Sequence, residues 1–272
     1  LWVPTDHGRG RRLPLILFLH GAGGKPTTWP WRSATGGKGY LVVGLSYGPL
    51  PGGGRGRSGI RSDPASRRAM VAFIDRVRAR VEKEYGSDPE RVFLSGLSMG
   101  GWGVNFYGFL PAAAGRYRGY CIMAAGLAPS PEPDLTVTRG LPVLLINGET
   151  DPNRRTADRG RPLLEAAGAR VTQVVIPGQG HVPATETLAP PLGKWLAGIA
   201  ARDARERALA AVAWREAELA GRQRRRGRRE EALLDFLRGQ ALRRRVEGER
   251  PLLLWCTVAG EGRAAQRCGK VA

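Results

Sequence analysis

A serine flanked by glycines stands near the middle of the chain: Gly96-Leu97-Ser98-Met99-Gly100 fits the pattern G-x-S-x-G, and Gly101 follows. An apolar run, Val92 to Leu94, precedes it, and a helix-compatible segment comes after. In that setting the chain must turn sharply between strand and helix, and side chains at positions 96 and 100 would collide. The turn holds the Ser98 hydroxyl exposed in a strained conformation. A serine hydroxyl is a poor nucleophile at neutral pH and needs a base. The chain has three histidines, His7, His20 and His181. The chain order in such a site is serine, acid, histidine. Only His181, in Pro177-Gly178-Gln179-Gly180-His181, follows Ser98, so elimination selects it.

The acid must lie between Ser98 and His181, where Glu132, Asp134, Glu149, Asp151, Asp158 and Glu165 qualify by order. Asp151 comes just after the apolar run Val143 to Asn147 and is the expected partner. It would accept the Nδ1 hydrogen of His181 and stabilise the imidazolium. Glu149, two residues nearer the run, is the alternative. Backbone N–H groups aimed at the charge that develops on an attacked carbonyl contribute about 3 kcal/mol each. Met99 would supply one. Ala22 would supply the other, from the loop His20-Gly21-Ala22-Gly23-Gly24 after the first apolar run, with His20 holding that loop. The loop lacks the Lys-Ser/Thr ending of a phosphate cradle. The chemistry needs no metal and no cofactor.

Six apolar runs must position these residues: Leu15 to Leu19, Tyr40 to Ser46, Val92 to Leu94, Tyr120 to Ala124, Val143 to Asn147 and Val171 to Ile176. Most are continuous rather than alternating, as for strands covered on both faces. Leu1 to Val3 reads as a remnant of one more. Between the runs, Met70, Phe73, Ile74, Val77 and Val81 make a helical stripe, with Ser62 or Asp63 as cap, Pro64 at the first position and Gly86 at the end. Pro162 to Ala167 reads as a short helix, and Leu192, Trp195, Leu196 and Ile199 form another stripe. Strands alternating with helices predict an α/β fold with a doubly wound, mostly parallel sheet.

The segments LILFLHGAGG, GLSMGG, NGETD and GQGH occur in the order seen in the α/β-hydrolase superfamily, which residues 1–200 resemble. YGSDPERVFLSGLSMGGWG is similar to the esterase branch. That branch includes feruloyl esterases, polyhydroxybutyrate-depolymerase-like proteins and predicted prolyl-oligopeptidase-like peptidases, and the segment is also similar to the phospholipase/carboxylesterase group. The resemblance implies Ser98 as nucleophile, Asp151 as acid, His181 as base, and Ala22 and Met99 as oxyanion donors. It implies a serine hydrolase that cleaves small-molecule carboxylic esters through an acyl-enzyme. A serine peptidase of the same fold stays open, since the triad does not distinguish ester from amide. Family members have a longer N-terminal part, and the chain begins at Leu1, so a truncated first domain is expected. The twelve residues from Pro129 to Gly140 are too few for a large cap domain, which predicts an open site. Trp29, Trp31 and Trp102 are candidates both for an acyl or aryl pocket and for the core. Gly52 to Gly59 reads as a flexible basic surface loop.

The chain has 272 residues, with 43 basic and 24 acidic side chains and a net charge of +19. No apolar run approaches the roughly 20 residues of a membrane span. Three widely spaced cysteines exclude a disulfide framework and a cysteine zinc cluster. Cys256 and Cys268 are too far apart for a C-x-x-C pair. Residues 201–250 carry 15 Arg and 9 acidic residues and read as a charged helical extension broken near Gly221 to Gly227, with Leu234, Leu237 and Ala241 at helical spacing. Residues 251–272, with the run Leu252 to Val258, read as the start of a further, truncated domain. Basic composition invites a nucleic-acid partner, and an Arg-rich binding protein with an inert hydrolase domain is the rival reading. But the acidic residues interrupt the Arg runs, and the cluster Arg222 to Arg229 has no aromatic side chain for stacking. Weak, salt-sensitive binding without sequence preference is expected, not specific recognition. The compartment and oligomeric state are not readable; a soluble cytoplasmic or secreted protein is expected.

Overall fold

The computed structural model describes residues 1–8, 10–47, 59–128 and 132–226, together with Phe236. Six strands form one all-parallel sheet. They are β1 (Leu13–Leu19), β2 (Leu41–Leu45), β3 (Ser87–Leu97), β4 (Gly119–Met123), β5 (Pro142–Gly148) and β6 (Arg170–Ile176). The sheet order is β2-β1-β3-β4-β5-β6. Every residue of β1, β4 and β5 is buried, which explains their unbroken apolar character: helices cover both faces.

The helices are α1 (Trp31–Ala34), α2 (Pro64–Tyr85), α3 (Met99–Gly108), α4 (Arg154–Ala166) and α5 (Thr185–Arg226). On one face, Leu13, Leu15, Leu17 and Leu19 share a core with Met70, Ile74 and Val81 of α2, Val104 and Tyr107 of α3, and Ala157 and Leu164 of α4. On the other, the Trp195 ring of α5 meets Trp31 of α1 at 6.2 Å and Phe93 of β3 at 5.8 Å. Asp63 caps α2 by accepting the Ser66 N–H, with Pro64 at the first turn, and Gly86 ends the helix in the left-handed region. Leu1–Val3 contributes a single antiparallel bridge, Trp2 to Val42.

Two elements differ from the sequence reading. Strand β3 begins at Ser87, well before Val92, because its outer half is polar, contains Pro89 and shows no apolar run. Helix α4 begins at Arg154 and carries Pro162 in its interior. Its first turns pack through small residues: a Cβ on Gly160 would stand 2.5 Å from Leu127 Cβ, and one on Gly126 would stand 2.3 Å from the Ala157 nitrogen. No large apolar side chain marks that face, so periodicity misses it. Helix α5 runs past residue 200 and Gly221 to Arg226, and Gly227, at the end of the expected break, lies outside the described residues. The chain divides into two compact units, Leu1–Leu196 and Ala197–Ala272. In the second, the described part of α5 carries an Arg202–Glu206 pair one turn apart and an exposed Trp214. Leu234, Leu237, Ala241, residues 251–272 and most of the Gly52 to Gly59 loop lie outside the described residues. Among the described residues no helix is long and apolar enough to cross a membrane.

The chain leaves β1 outward to β2, then returns to lie on the other side of β1 as β3. This reversal opens a crevice beyond the carboxyl ends of β1 and β3, the place where ligands bind in open parallel sheets.

Candidate active site

Ser98 sits in that crevice, between the last residue of β3 and the first of α3. Its backbone has φ 54° and ψ −116°, a conformation that costs a non-glycine residue on the order of 1–3 kcal/mol. Neighbouring bonds hold it there: the Ser98 N–H donates to Met123 O at 2.8 Å, and Trp102 N–H donates to Ser98 O at 3.1 Å. The flanking glycines are a packing requirement. A Cβ on Gly96 would stand 2.0 Å from the Gly100 carbonyl oxygen, and one on Gly100 would stand 2.0 Å from that of Leu19. On Gly101 it would meet Ala125 Cβ at 2.7 Å.

Two further loops bring Asp151 and His181. After β5, Asp151 turns back so that its N–H bonds Gly148 O at 3.2 Å, and its carboxylate is buried. After β6, residues 177–181 lie against this turn. Thr150 N–H donates to Gln179 O at 3.0 Å, Glu149 N–H to Ile176 O at 2.9 Å, and Gly178 N–H to Glu149 Oε2 at 2.9 Å. A Cβ on Gly148 would stand 2.1 Å from Gly180 O, so the two loops are in backbone contact. The result is a hydrogen-bonded line: Ser98 Oγ to His181 Nε2 at 2.8 Å, and His181 Nδ1 to Asp151 Oδ1 at 2.9 Å. With a carboxylate against Nδ1, that nitrogen carries the proton and Nε2 accepts from the serine hydroxyl. Glu149, the alternative acid, spends its carboxylate on the Gly178 N–H in the loop that carries His181.

The third side is the loop after β1. His20 is buried at its base, with Nδ1 2.8 Å from Gly21 O. The Tyr47 hydroxyl donates to the His20 carbonyl, and its ring meets the imidazole edge-on at 4.7 Å. Burial pushes the Tyr47 hydroxyl well above its ordinary range, so it stays a donor. Gly24 N–H closes the turn on Gly21 O at 3.1 Å, with Gly23 at φ +71°. Ala22 is exposed at the tip. Met99 is the first residue of α3, so its N–H has no carbonyl one turn back. Met99 follows Ser98 in the chain, and Ala22 lines the same cleft as Ser98.

A cleft of about 630 Å³ opens over Ser98 and His181, with Ala22, Leu97, Trp29 and Val182 in its walls. Of the three candidate tryptophans only Trp29 lines it, held by its indole N–H on Thr185 Oγ1 at 2.6 Å. Trp31 is fully buried and donates to Ser95 Oγ at 2.7 Å, and Trp102 packs against the core.

No family model and no curated protein matches the chain. Solved structures do. A carboxylesterase from Mesorhizobium loti is 22% identical over 68% of this chain and 88% of that one, with a TM-score of 0.54. Esterase PE8 is 20% identical over 72% and 96%, with a TM-score of 0.53. A phospholipase/carboxylesterase from Dyadobacter fermentans is 19% identical over 68% and 91%, with a TM-score of 0.50. The chain has the α/β-hydrolase fold.

Within this fold, three polar residues support the site without having stood out in the sequence. Asn147 is fully buried and donates through Nδ2 to Asp151 Oδ2 and to Ala125 O, both at 3.1 Å. The Asn153 N–H donates to Asp151 Oδ1 at 2.9 Å, so the carboxylate accepts three bonds in all. Asn105 of α3 reaches Gly101 O and Gly126 O at 3.0 Å each and accepts the Ala128 N–H, tying the helix behind Ser98 to the loop after β4. Asn147 had a signal: it is the one polar residue of the run Val143 to Asn147, four positions before Asp151. Ala124, at φ 50° where β4 ends, had none.

Proposed function

We propose that this chain, which has the α/β-hydrolase fold, is a serine hydrolase that cleaves carboxylic esters. Ser98 Oγ attacks the ester carbonyl while His181 Nε2 takes its proton, and Asp151 stabilises the imidazolium. The N–H groups of Ala22 and Met99 bind the oxyanion. His181 then gives the proton to the departing alcohol, leaving an acyl group on Ser98. A water deprotonated by the same imidazole releases the acid. The observation that carries the reading is the hydrogen-bonded line from Ser98 to Asp151 at 2.8 and 2.9 Å, beside a turn strained at the serine alone. The structural neighbours described as esterases and carboxylesterases favour ester over amide.

A fluorophosphonate probe tests it. Ser98 is expected to be the labelled residue, and Ser98→Ala is expected to lose labelling and to lower kcat on p-nitrophenyl acetate by about 10⁴-fold or more. Undiminished turnover by Ser98→Ala would remove Ser98 from the chemistry.

A further inference from the structure

We propose that Trp29 and Thr185 are positioning residues for His181: their hydrogen bond is a clasp that fastens the histidine's loop to the strand that leads to Ser98. This rests on the hydrolase reading above. On the side before His181, the loop is tied to the turn after β5: Gln179 O accepts Thr150 N–H, and Gly178 N–H reaches Glu149. On the side after it, the chain passes through the exposed Val182 and closes on itself, where Ala184 N–H donates to Gln179 Oε1 at 3.1 Å. The imidazole is 39% exposed, so packing alone does not fix it. Helix α5 starts at Thr185 and is seated in the core about a turn later, at the fully buried Leu188. The Trp29 indole N–H donates to Thr185 Oγ1 at 2.6 Å, and so grips the chain four residues after His181 and ahead of that anchor.

The other end of the bond stands on a firm base. Trp29 N–H donates to Thr27 Oγ1 at 3.2 Å, and the Thr27 backbone lies so close to β2 that a Cβ on Gly44 would collide with it. Two residues after Trp29, the fully buried Trp31 donates its indole N–H to Ser95 Oγ at 2.7 Å, and the Ser95 hydroxyl donates to Leu17 O at 3.0 Å. Ser95 belongs to β3, three residues before Ser98. A connection therefore runs from the strand before Ser98 through Trp31, its chain neighbour Pro30 and Trp29 to Thr185. It is separate from the line that Ser98, His181 and Asp151 form. A tryptophan side chain has two torsions, so an indole pinned at its N–H is a stiff strut. Both half-reactions need His181 Nε2 within hydrogen-bond reach of the reacting oxygens, and a misplacement of about 1 Å costs up to about 100-fold in rate. The clasp opposes that misplacement from the side that Asp151 does not reach.

Three variants of the full chain test this. Thr185→Val removes the acceptor and keeps the shape, Thr185→Ser keeps the acceptor, and Trp29→Phe removes the donor. Trp29 is among the described residues that line the cleft over Ser98 and Thr185 is not, so kcat and KM are compared in the Thr185 variants. With p-nitrophenyl acetate, Thr185→Val is expected to lower kcat about ten-fold and to leave KM within about two-fold, because one imidazole serves both half-reactions and both slow together. Thr185→Ser is expected to stay within about two-fold of the unaltered chain in kcat. Trp29→Phe is expected to lower kcat, and Thr185→Val added to it to lower kcat no further, since the same bond is removed from either end. A kcat in Thr185→Val equal to that of the unaltered chain, a Thr185→Ser as impaired as Thr185→Val, or losses that multiply in the double variant overturns the proposal. A second readout needs no turnover. The His181 Nδ1 proton, bonded to the buried Asp151 carboxylate, is expected as a downfield proton NMR resonance in the unaltered chain and in Thr185→Ser. Thr185→Val and Trp29→Phe are expected to broaden it through exchange with water. Turnover surviving in Ser98→Ala overturns the hydrolase reading instead, and the resonance then decides the clasp: unchanged in Thr185→Val and Trp29→Phe, it overturns it.

Discussion

Replacing Asp151 by Asn changes one atom in the buried line and separates the roles of its charge and its geometry. The carboxylate accepts from His181 Nδ1 and the Asn153 N–H on Oδ1, and from Asn147 Nδ2 on Oδ2. An amide has one oxygen for these three donors. If the oxygen stays toward His181, the new NH₂ faces the NH₂ of Asn147. Asn147 can relieve this by flipping, since its own Oδ1 has no partner, but the flip takes a donor from the buried Ala125 carbonyl. If the oxygen turns toward Asn147, the NH₂ faces His181 Nδ1 and the Asn153 N–H. The imidazole proton then moves to Nε2, and Ser98 loses its acceptor. Either arrangement orphans one buried polar group, about 1–3 kcal/mol of stability, and removes the charge opposite the imidazolium. Activity is expected to fall about 10³- to 10⁴-fold in kcat, equivalent to roughly 4–5.5 kcal/mol of barrier. Steady-state hydrolysis of p-nitrophenyl acetate, with urea unfolding alongside, measures both. A loss under ten-fold, or a larger loss in Glu149→Gln than in Asp151→Asn, would refute the assignment.

Gly100→Ala is expected to cost several kcal/mol in urea unfolding or to prevent folding, because its Cβ meets the Leu19 backbone at 2.0 Å. Gly198→Ala, in α5 with nothing within 4 Å of its Cβ, is expected to stabilise by about 0.5–1 kcal/mol. Stability is also expected to fall above pH 10. Burial pushes the Tyr117 hydroxyl up to about 12, and those of Tyr47, Tyr107 and Tyr120 above their ordinary value as well. The unfolded chain then releases protons that the folded chain keeps, at about 1.4 kcal/mol per pH unit for each residue until its folded pKa is passed. Thermal unfolding between pH 8 and 11 would show this; a flat profile would contradict it.

The serine, the histidine and the parallel sheet were readable because each rests on a strong local constraint. A glycine-flanked turn, a single histidine in the right order and unbroken apolar strands leave little choice. The sequence favoured Asp151 but left Glu149 open as the alternative, since both follow β5. What separates them is a contact between two loops 30 residues apart, in which Glu149 bonds Gly178 and Asp151 bonds His181. The first turns of α4 escaped for a different reason: its close approach to the loop after β4 uses Gly126 and Gly160, and the absence of a side chain leaves no periodic mark. Asn147 was hidden by its place in a run read for apolarity.

Helix α3, which starts the turn at Ser98, contains Gly100, Gly101, Gly103 and Gly108 among its ten residues. Each glycine lowers intrinsic helix stability by about 1 kcal/mol relative to alanine, so this segment has almost no tendency to coil by itself. It becomes helical only when docked between β1, β3 and β4, where those same glycines are required. The strained serine conformation is therefore absent from any partly folded chain in which the central strands are unpaired. Amide hydrogens of α3 should exchange only through global opening, despite the segment's poor local propensity. In refolding, the Ser98 hydroxyl reaches this geometry in the same step as the long-range strand pairing rather than before it. A nascent or misfolded chain thus holds Ser98 away from His181 and outside its strained turn.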